Sequence, residues 1–303
     1  MIAGLVKDES ERFDGYNWHD EYAEAFRSLG DDVRLYDFKR TDWATRLEQD
    51  RPHFLLWRAW HRPDDRDDAK NKILFVEKSL GIPIFPTSDM YAPYDNKILQ
   101  TFVLRHLGFD MPRTEIFRDR EEALLYAQRA PLPIVSKCSE GACGENVWLI
   151  TDRAELKEHI RTAFNDSGLP TSFPWVRQKG YVYLQQFIPT DRDLRIISIG
   201  DRVELAFWRE NPGSWKKNIS SGGRINPHDI PRAALDVALK LARTTGFHWC
   251  ACDMIIVEHV PMILEYSAIF GFSRCGDYEK HFGSRNAHIL RKQALYLHGL
   301  MAE

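Results

Sequence analysis

The chain has 303 residues, 44% hydrophobic and 28% charged, with a formal net charge of −3 spread over both signs. This composition belongs to a soluble globular enzyme of one large domain or two to three lobes. Nothing in it argues for a nucleic-acid or membrane-surface protein, and no apolar run approaches the roughly 20 residues that span a bilayer. The opening MIAGLVKDES lacks a basic segment followed by a long apolar stretch, so a first strand is expected there and no signal peptide. Five cysteines, an odd number with no CxxC pair, argue against a disulfide framework or a thiolate zinc site. Cys250 and Cys252 read as small core residues in a reducing, cytoplasmic compartment.

The first ninety residues alternate strand and helix signals. Ile2 to Val6 is a short apolar run. His19 to Leu29 places Tyr22, Phe26 and Leu29 at helical spacing before Gly30. Val33 to Phe38, His53 to Arg58 and Ile82 to Phe85 read as further strands, with helices over Asp42 to Glu48 and Lys70 to Leu80. Such alternation predicts a doubly wound parallel sheet whose ligands collect beyond the carboxyl ends of the strands. Asn96 to Leu107 reads as a helix, followed by the extended FDMPRTEIF, a helix over Glu121 to Ala130, the strands PIVSK and ENVWLI, and a helix over Ala154 to Phe164. A polar stretch from Asn165 to Gly180 precedes the strand runs YVYLQQFI, DLRIISI and RVELAFW. A helix over Arg232 to Thr245 leads into CACDMIIV and MILEYS, a hairpin around His259, and a final helix from Ser284 to about Met301. The expected division is an N-terminal domain over 1–95, a linker helix and small α+β lid over 96–185, and a C-terminal α+β domain with an antiparallel sheet over 186–303.

Several residues carry chemistry. In MILEYSAIFGF, residues 262 to 272, Glu265 is the only charged side chain, and a carboxylate in an apolar setting requires a partner. In PIVSKCSEGACGENVWLI, Lys137 ends a strand, and Gly141 and Gly144 punctuate a link that could lay backbone amides against phosphate oxygens; the same pattern also serves as an ordinary hairpin. It is no Walker A loop, because no GK[ST] opens a helix. In YVYLQQFIPTDRDLRI, Gln185 and Gln186 beside Phe187 and Ile188, with Asp193 further on, offer an apolar slot flanked by amides and a carboxylate, or an amphipathic hairpin.

In order, the chain shows DNK (Asp95 to Lys97), MPRTEIF, PIVSK with its glycine loop, LQQFI with Asp193 and Arg195, AFWREN with Arg209, KKN with Asn218, SGGRI, ACD with Asp253, and LEYS with Glu265 and Ser267. The series resembles the ATP-grasp superfamily over essentially the whole chain, nearest the branch of glutathione synthetases and ligases that add glutamate to ribosomal protein. That resemblance implies an ATP-grasp fold and an ATP-dependent carboxylate-amine ligase working through an acylphosphate. It implies that Lys97 and Lys137 contact the ATP phosphates under the loop Ser139 to Glu145. Gln186, with Gln185 and the Phe187 to Ile188 backbone, would hold adenine, and Asp193 the ribose hydroxyls. Asp253 and Glu265 would bind Mg²⁺, with Ser267 where most members carry Asn. Arg209, with Arg195 and Asn218, would steady the transferring phosphoryl group; Arg195 paired to Asp193 or Asp191 is the structural alternative.

A softer likeness, in the Glu-x-Ser ending and the segment Trp57 to His61, is to ATP-grasp proteins associated with bacterial surface polysaccharide. Arg58, with Trp60 and His61 near it, falls at the carboxyl end of a presumed strand, where a guanidinium could grip an acceptor carboxylate and an indole could stack on a sugar; Arg58 in a surface ion pair with Asp64 or Asp65 is the alternative. Lys217 is a further substrate candidate. The expected partners are a small-molecule or sugar-linked carboxylate and an amine, with a homodimer left open. Two other functions fit the same residues: an ATP-binding protein without turnover, suggested by Ser267, and a kinase-like phosphoryl transferase.

Overall fold

The computed structural model describes residues 1–7, 17–59, 62–141, 146–217, 222–271 and 287–302. The first sheet is parallel throughout, in the order β2 (Asp32–Tyr36), β1 (Ile2–Val6), β3 (Phe54–Leu56), β4 (Ile84–Phe85). Alternation along the strands decides which helix each face meets. Ala3, Leu5, Phe54 and Leu56 pack with Trp18, Tyr22 and Phe26 of α1 (Trp18–Ser28), whereas Val6, Tyr36 and Leu55 pack with Leu47 of α2 (Trp43–Asp50) and Ala69 and Ile73 of α3 (Pro63–Phe75). Gly4 is required by this packing: a Cβ there would lie 2.5 Å from Leu55 Cδ2. The order 2-1-3-4 reverses direction between β1 and β3, and the crevice at such a switch point is where doubly wound sheets seat ligands. Residues 57–59 leave the sheet at that end.

A short α4 (Ser88–Tyr91) precedes α5 (Lys97–His106), whose start is fixed by the Asn96 side chain accepting from Leu99 N at 3.1 Å. The second sheet runs β5 (Thr114–Phe117), β10 (Val182–Gln186), β6 (Ile134–Lys137), β7 (Val147–Ile150), antiparallel throughout. It is backed by α6 (Arg120–Ala127) and α7 (Arg153–Phe164) around a separate core of Ile134, Ile150, Leu156, Ile160, Val182 and Leu184. Asp119 and Asp152 cap the two helices, accepting from Glu122 N at 2.8 Å and from Ala154 N and Glu155 N at 2.8 and 2.9 Å. The polar stretch after α7 is not featureless: β8 (Leu169–Pro170) pairs with β9 (Arg177–Gln178) as a small ribbon.

The third sheet is antiparallel, in the order β13 (Arg224–Asn226), β12 (Arg202–Glu210), β11 (Arg192–Ile199), β14 (Trp249–Val257), β15 (Val260–Ser267). It packs against α8 (Arg232–Thr245) and α9 (Ala287–Ala302), and its core merges with the α1 face of the first sheet. β14 and β15 turn through Glu258 and His259, both at positive φ (48° and 70°), the two-residue turn whose twist matches the strands. α3 starts earlier than periodicity suggests, at Pro63, because its first turn is acidic and faces solvent, leaving no apolar stripe to read.

Candidate functional site

The second and third sheets face one another across a cleft of 940 Å³ counted out to its open mouth. Its floor is a row of charges set by strand register. Asp193 on β11 stands opposite Arg209 on β12, Arg195 on β11 opposite Asp253 on β14, and Asp253 opposite Glu265 on β15. Arg209 donates to both Asp193 oxygens, Nε at 2.6 Å and Nη2 at 2.8 Å. Arg195 likewise grips Asp253 at 2.8 and 2.7 Å, and Arg209 Nη2 reaches Asp253 Oδ2 at 2.9 Å. Burial would raise the Asp253 carboxyl, but the two guanidiniums overcome that and hold it well below the usual carboxylate range. Burial would lower Arg209, and Asp193 and Asp253 together push it above its ordinary value.

A β-bulge between Asp253 and Met254 adds Leu264 to β15, so that the successive residues Leu264 and Glu265 both line the cleft. Glu265 remains 41% exposed, with Oε2 4.0 Å from Lys97 Nζ. Lys137 lies across from it. Burial pulls the Lys137 ammonium down to about 8; neighbouring Lys97 adds to the drop and Glu265 opposes it. Two ammonium groups crowded into a desolvated cleft favour an anion between them.

The DNK segment ties the glycine loop to this floor. Lys97 Nζ donates to Gly141 O at 2.7 Å, Lys97 N to Ser139 O at 3.1 Å, and Gly141 N to Asp95 Oδ1 at 2.8 Å. Ser139 Oγ bonds Asn96 Oδ1 at 3.2 Å, and Ser139 N donates to the Tyr181 hydroxyl at 2.8 Å. Asp95, at φ 51° and almost fully buried, is thus an anchor of the loop; its place in DNK was visible in sequence, its role was not.

Above the charges the cleft is apolar: Val135 and Val147 on one side, Ile255 and Leu264 on the other, Phe187 and Ile188 at the edge. Val135 and Ile255 share strand faces with Lys137 and Asp253, a parity legible in sequence, whereas Leu264 enters only through the bulge. Trp215, Lys216 and the buried Lys217 also line the cleft; Lys217 Nζ donates to Asn211 O at 3.0 Å and to Ser214 O.

Some expected residues are placed differently. Arg195 pairs with Asp253, not with Asp193 or Asp191, because the β11–β14 register puts Asp253 directly opposite. Asp193 lines the cleft, but both its oxygens accept from Arg209, so its first task is to hold that guanidinium. The Gln185 amide turns away to Thr114 Oγ1 at 2.9 Å and the Tyr183 hydroxyl at 3.4 Å, and Gln186 alone stays exposed at the edge. The Ser267 hydroxyl closes a turn on its own chain, donating to Ile269 O at 2.6 Å and accepting from Ile269 N at 3.0 Å. Arg58 lies 3.5 Å from the Trp18 ring and donates to Phe270 O at 2.5 Å, joining the first sheet to the segment after β15 and not pairing with Asp64 or Asp65. Trp60, His61, Gly144 and Asn218 lie outside the described residues.

Three sheets and a charged cleft with apolar walls narrow the possibilities, and comparison with known proteins decides among them. A family model described as the RimK-like ATP-grasp domain matches residues 94–281. The chain belongs to that family. It is 25% identical over 212 residues to the "Alpha-aminoadipate--LysW ligase LysX" of Saccharolobus solfataricus, covering 66% of this chain and 74% of that one. It is 29% identical over 200 residues to the protein of the same name from Sulfurisphaera tokodaii, covering 63% and 67%. Among solved structures it is similar to the Chryseobacterium gregarium RiPP-associated ATP-grasp ligase, in complex with ADP and a leader and core peptide, with a TM-score of 0.68 at 16% identity over 98% of this chain and 97% of that one. The chain therefore has the ATP-grasp fold and is an ATP-dependent ligase that forms carbon–nitrogen bonds.

Proposed function

We propose that this ligase joins a carboxylate to an amine through an acylphosphate, in the cytoplasm, with Mg²⁺ as its metal. A single observation carries the reading. Lys97, Lys137, Arg209, Asp253 and Glu265 converge on one cleft immediately beneath an apolar slot, so a triphosphate would lie along the cations while its base fills the slot. Catalysis then rests on positioning and charge neutralisation, which phosphoryl transfer chiefly needs.

The carboxylate oxygen of the acceptor attacks the γ-phosphorus; an O–P bond forms as the bond to ADP breaks. The amine then attacks the acyl carbon, the C–N bond forms, and inorganic phosphate leaves with the electron pair while the amine loses a proton. Arg209, held rigid by Asp193, faces the charge that builds on the phosphoryl oxygens, and the Lys97 and Lys137 ammonium groups bind the phosphates. Glu265, which no arginine grips, together with Asp253 Oδ1, which accepts from Arg195 alone, would hold Mg²⁺ with phosphate oxygens completing its shell, and the ion would supply neutralisation of phosphate charge. The relatives named for α-aminoadipate and for peptide substrates support an amino-acid or peptide-borne substrate pair. The buried thiols Cys138, Cys250 and Cys252 support a reducing compartment.

The test is a screen of acids and amines with ATP and Mg²⁺, read as phosphate release, followed by ¹⁸O-labelling of the active acid. One ¹⁸O in the released phosphate is expected. Phosphate release with no label transferred excludes the acylphosphate, and a phosphorylated product indicates a kinase.

A further inference from the structure

The polar stretch between α7 and β10, which the nucleotide site does not use, folds into a clasp. The β8–β9 ribbon presents residues 171–176 as a tip, ordered by the Thr171 hydroxyl, which donates to Phe173 O and Val176 O at 3.0 and 2.9 Å, and by the Phe173 and Trp175 rings at 5.7 Å. Trp175 is 57% exposed, an unusual position for an indole with no task. Its Nε1 donates to Asp64 Oδ1 at 3.2 Å, and the Arg62 guanidinium lies over its ring at 4.9 Å. Both partners open α3 of the first domain.

The other end of the tip reaches the glycine loop. Ser172 N donates to Asn146 Oδ1 at 2.6 Å, Asn146 Nδ2 donates to Glu140 O at 3.1 Å, and the Glu140 carboxylate accepts from Arg66 of α3. Arg66 also donates to Asp95 O at 3.1 Å. These contacts close a ring: α3 to Trp175, along the tip to Asn146 and Glu140, and back to α3 through Arg66. Through Arg66 the ring also meets Asp95, whose side chain accepts from Gly141 N.

We propose that Trp175 is a positioning residue that holds Glu140, Gly141 and Asn146 against α3 and thereby sets affinity for the nucleotide's phosphates and not for its base. The inference rests on the ligase reading for the identity of the nucleotide.

Calorimetric titration of wild type, Trp175→Ala, Trp175→Phe and Asp64→Ala with a non-hydrolysable ATP analogue plus Mg²⁺, and separately with adenosine, tests it. An exposed cation–π contact and one hydrogen bond together predict that Trp175→Ala weakens the analogue about fivefold. Adenosine affinity should stay unchanged, Trp175→Phe should fall between, and adding Asp64→Ala to Trp175→Ala should weaken binding no further. Unchanged analogue binding in Trp175→Ala overturns the inference and leaves the ligase reading standing, as does an equal loss for adenosine or a full independent effect of Asp64→Ala in the double variant. A wild type that does not bind the analogue overturns both.

Discussion

Asp253 and Glu265 stand directly opposite each other on β14 and β15, yet only Asp253 is gripped by arginines. The same charge change at the two positions therefore has different costs. Glu265→Gln removes a carboxylate that is 41% exposed and 4.0 Å from Lys97, so stability should shift by under about 1 kcal/mol. Asp253→Asn leaves Arg195 and Arg209 under-compensated in a buried site, which costs about 3–5 kcal/mol. Both variants should lose Mg²⁺-dependent turnover by on the order of a hundredfold or more. Melting curves separate them: a large drop for Asp253→Asn and little change for Glu265→Gln are expected, and equal drops would mean that the arginine grip does not matter.

Lys137 has its ammonium drawn down to about 8 by burial and by Lys97, and the negative charge of a bound phosphate would oppose that drop. Lys137→Met should weaken ATP by about tenfold or more, the worth of one charge-assisted hydrogen bond, while adenosine binds as before. In wild type, ATP affinity should fall as pH rises through about 8, because the free protein then loses the proton that the phosphates need. Affinity flat from pH 7 to 9.5 would remove Lys137 from the phosphate site.

Much of this was legible in the sequence. Periodicity gave the parallel sheet, and the order of short motifs from Asp95 to Glu265 gave the ATP-grasp fold and the charged residues of the floor. What stayed hidden depends on register. Nothing local says that Arg195 faces Asp253 and not Asp193, since two strands nearly sixty residues apart must first pair. The bulge that brings Leu264 into the slot leaves no mark in MILEYS, and the Trp175 clasp hides in a stretch whose two-residue strands are too short to show alternation.

His159 on α7 provides an acid-sensitive point against the second sheet. Its Nε2 lies 2.8 Å from Ser136 Oγ, its ring meets Trp148 edge-on at 5.2 Å, and burial lowers it from 6.5 to about 4. The unfolded chain therefore binds a proton between pH 6.5 and 4 that the folded chain refuses, so this contribution to stability is complete above 6.5 and is lost as pH falls toward 4. The full loss is at most about 3 kcal/mol. His159→Gln, which keeps a polar partner for Ser136 and cannot titrate, should be less stable than wild type at pH 7.5 and gain on it by pH 4.5. A stability difference independent of pH across that range would show that His159 titrates alike in both states.

Ser267 falls where the resemblance leads one to expect an amide, and its hydroxyl is committed to Ile269 in both directions, at 2.6 and 3.0 Å. Glu265, two residues earlier on the same strand, is the group that enters the cleft. If closing this turn is the work of Ser267, Ser267→Ala should lower stability by about 1 kcal/mol, the worth of one hydrogen-bonded turn, and leave the Mg²⁺ dependence of ATP turnover within twofold of wild type. Ser267→Asn should recover most of that stability, because an Asn carbonyl can accept from the same Ile269 N–H in an Asx-turn. A metal role gives the opposite pattern: Ser267→Ala would raise the Mg²⁺ concentration needed for half-maximal turnover several-fold at unchanged melting temperature, and Ser267→Asn would lower it. Magnesium titrations of turnover alongside melting curves for the three proteins distinguish the two, because one role acts on the folded state's stability and the other on the metal's occupancy.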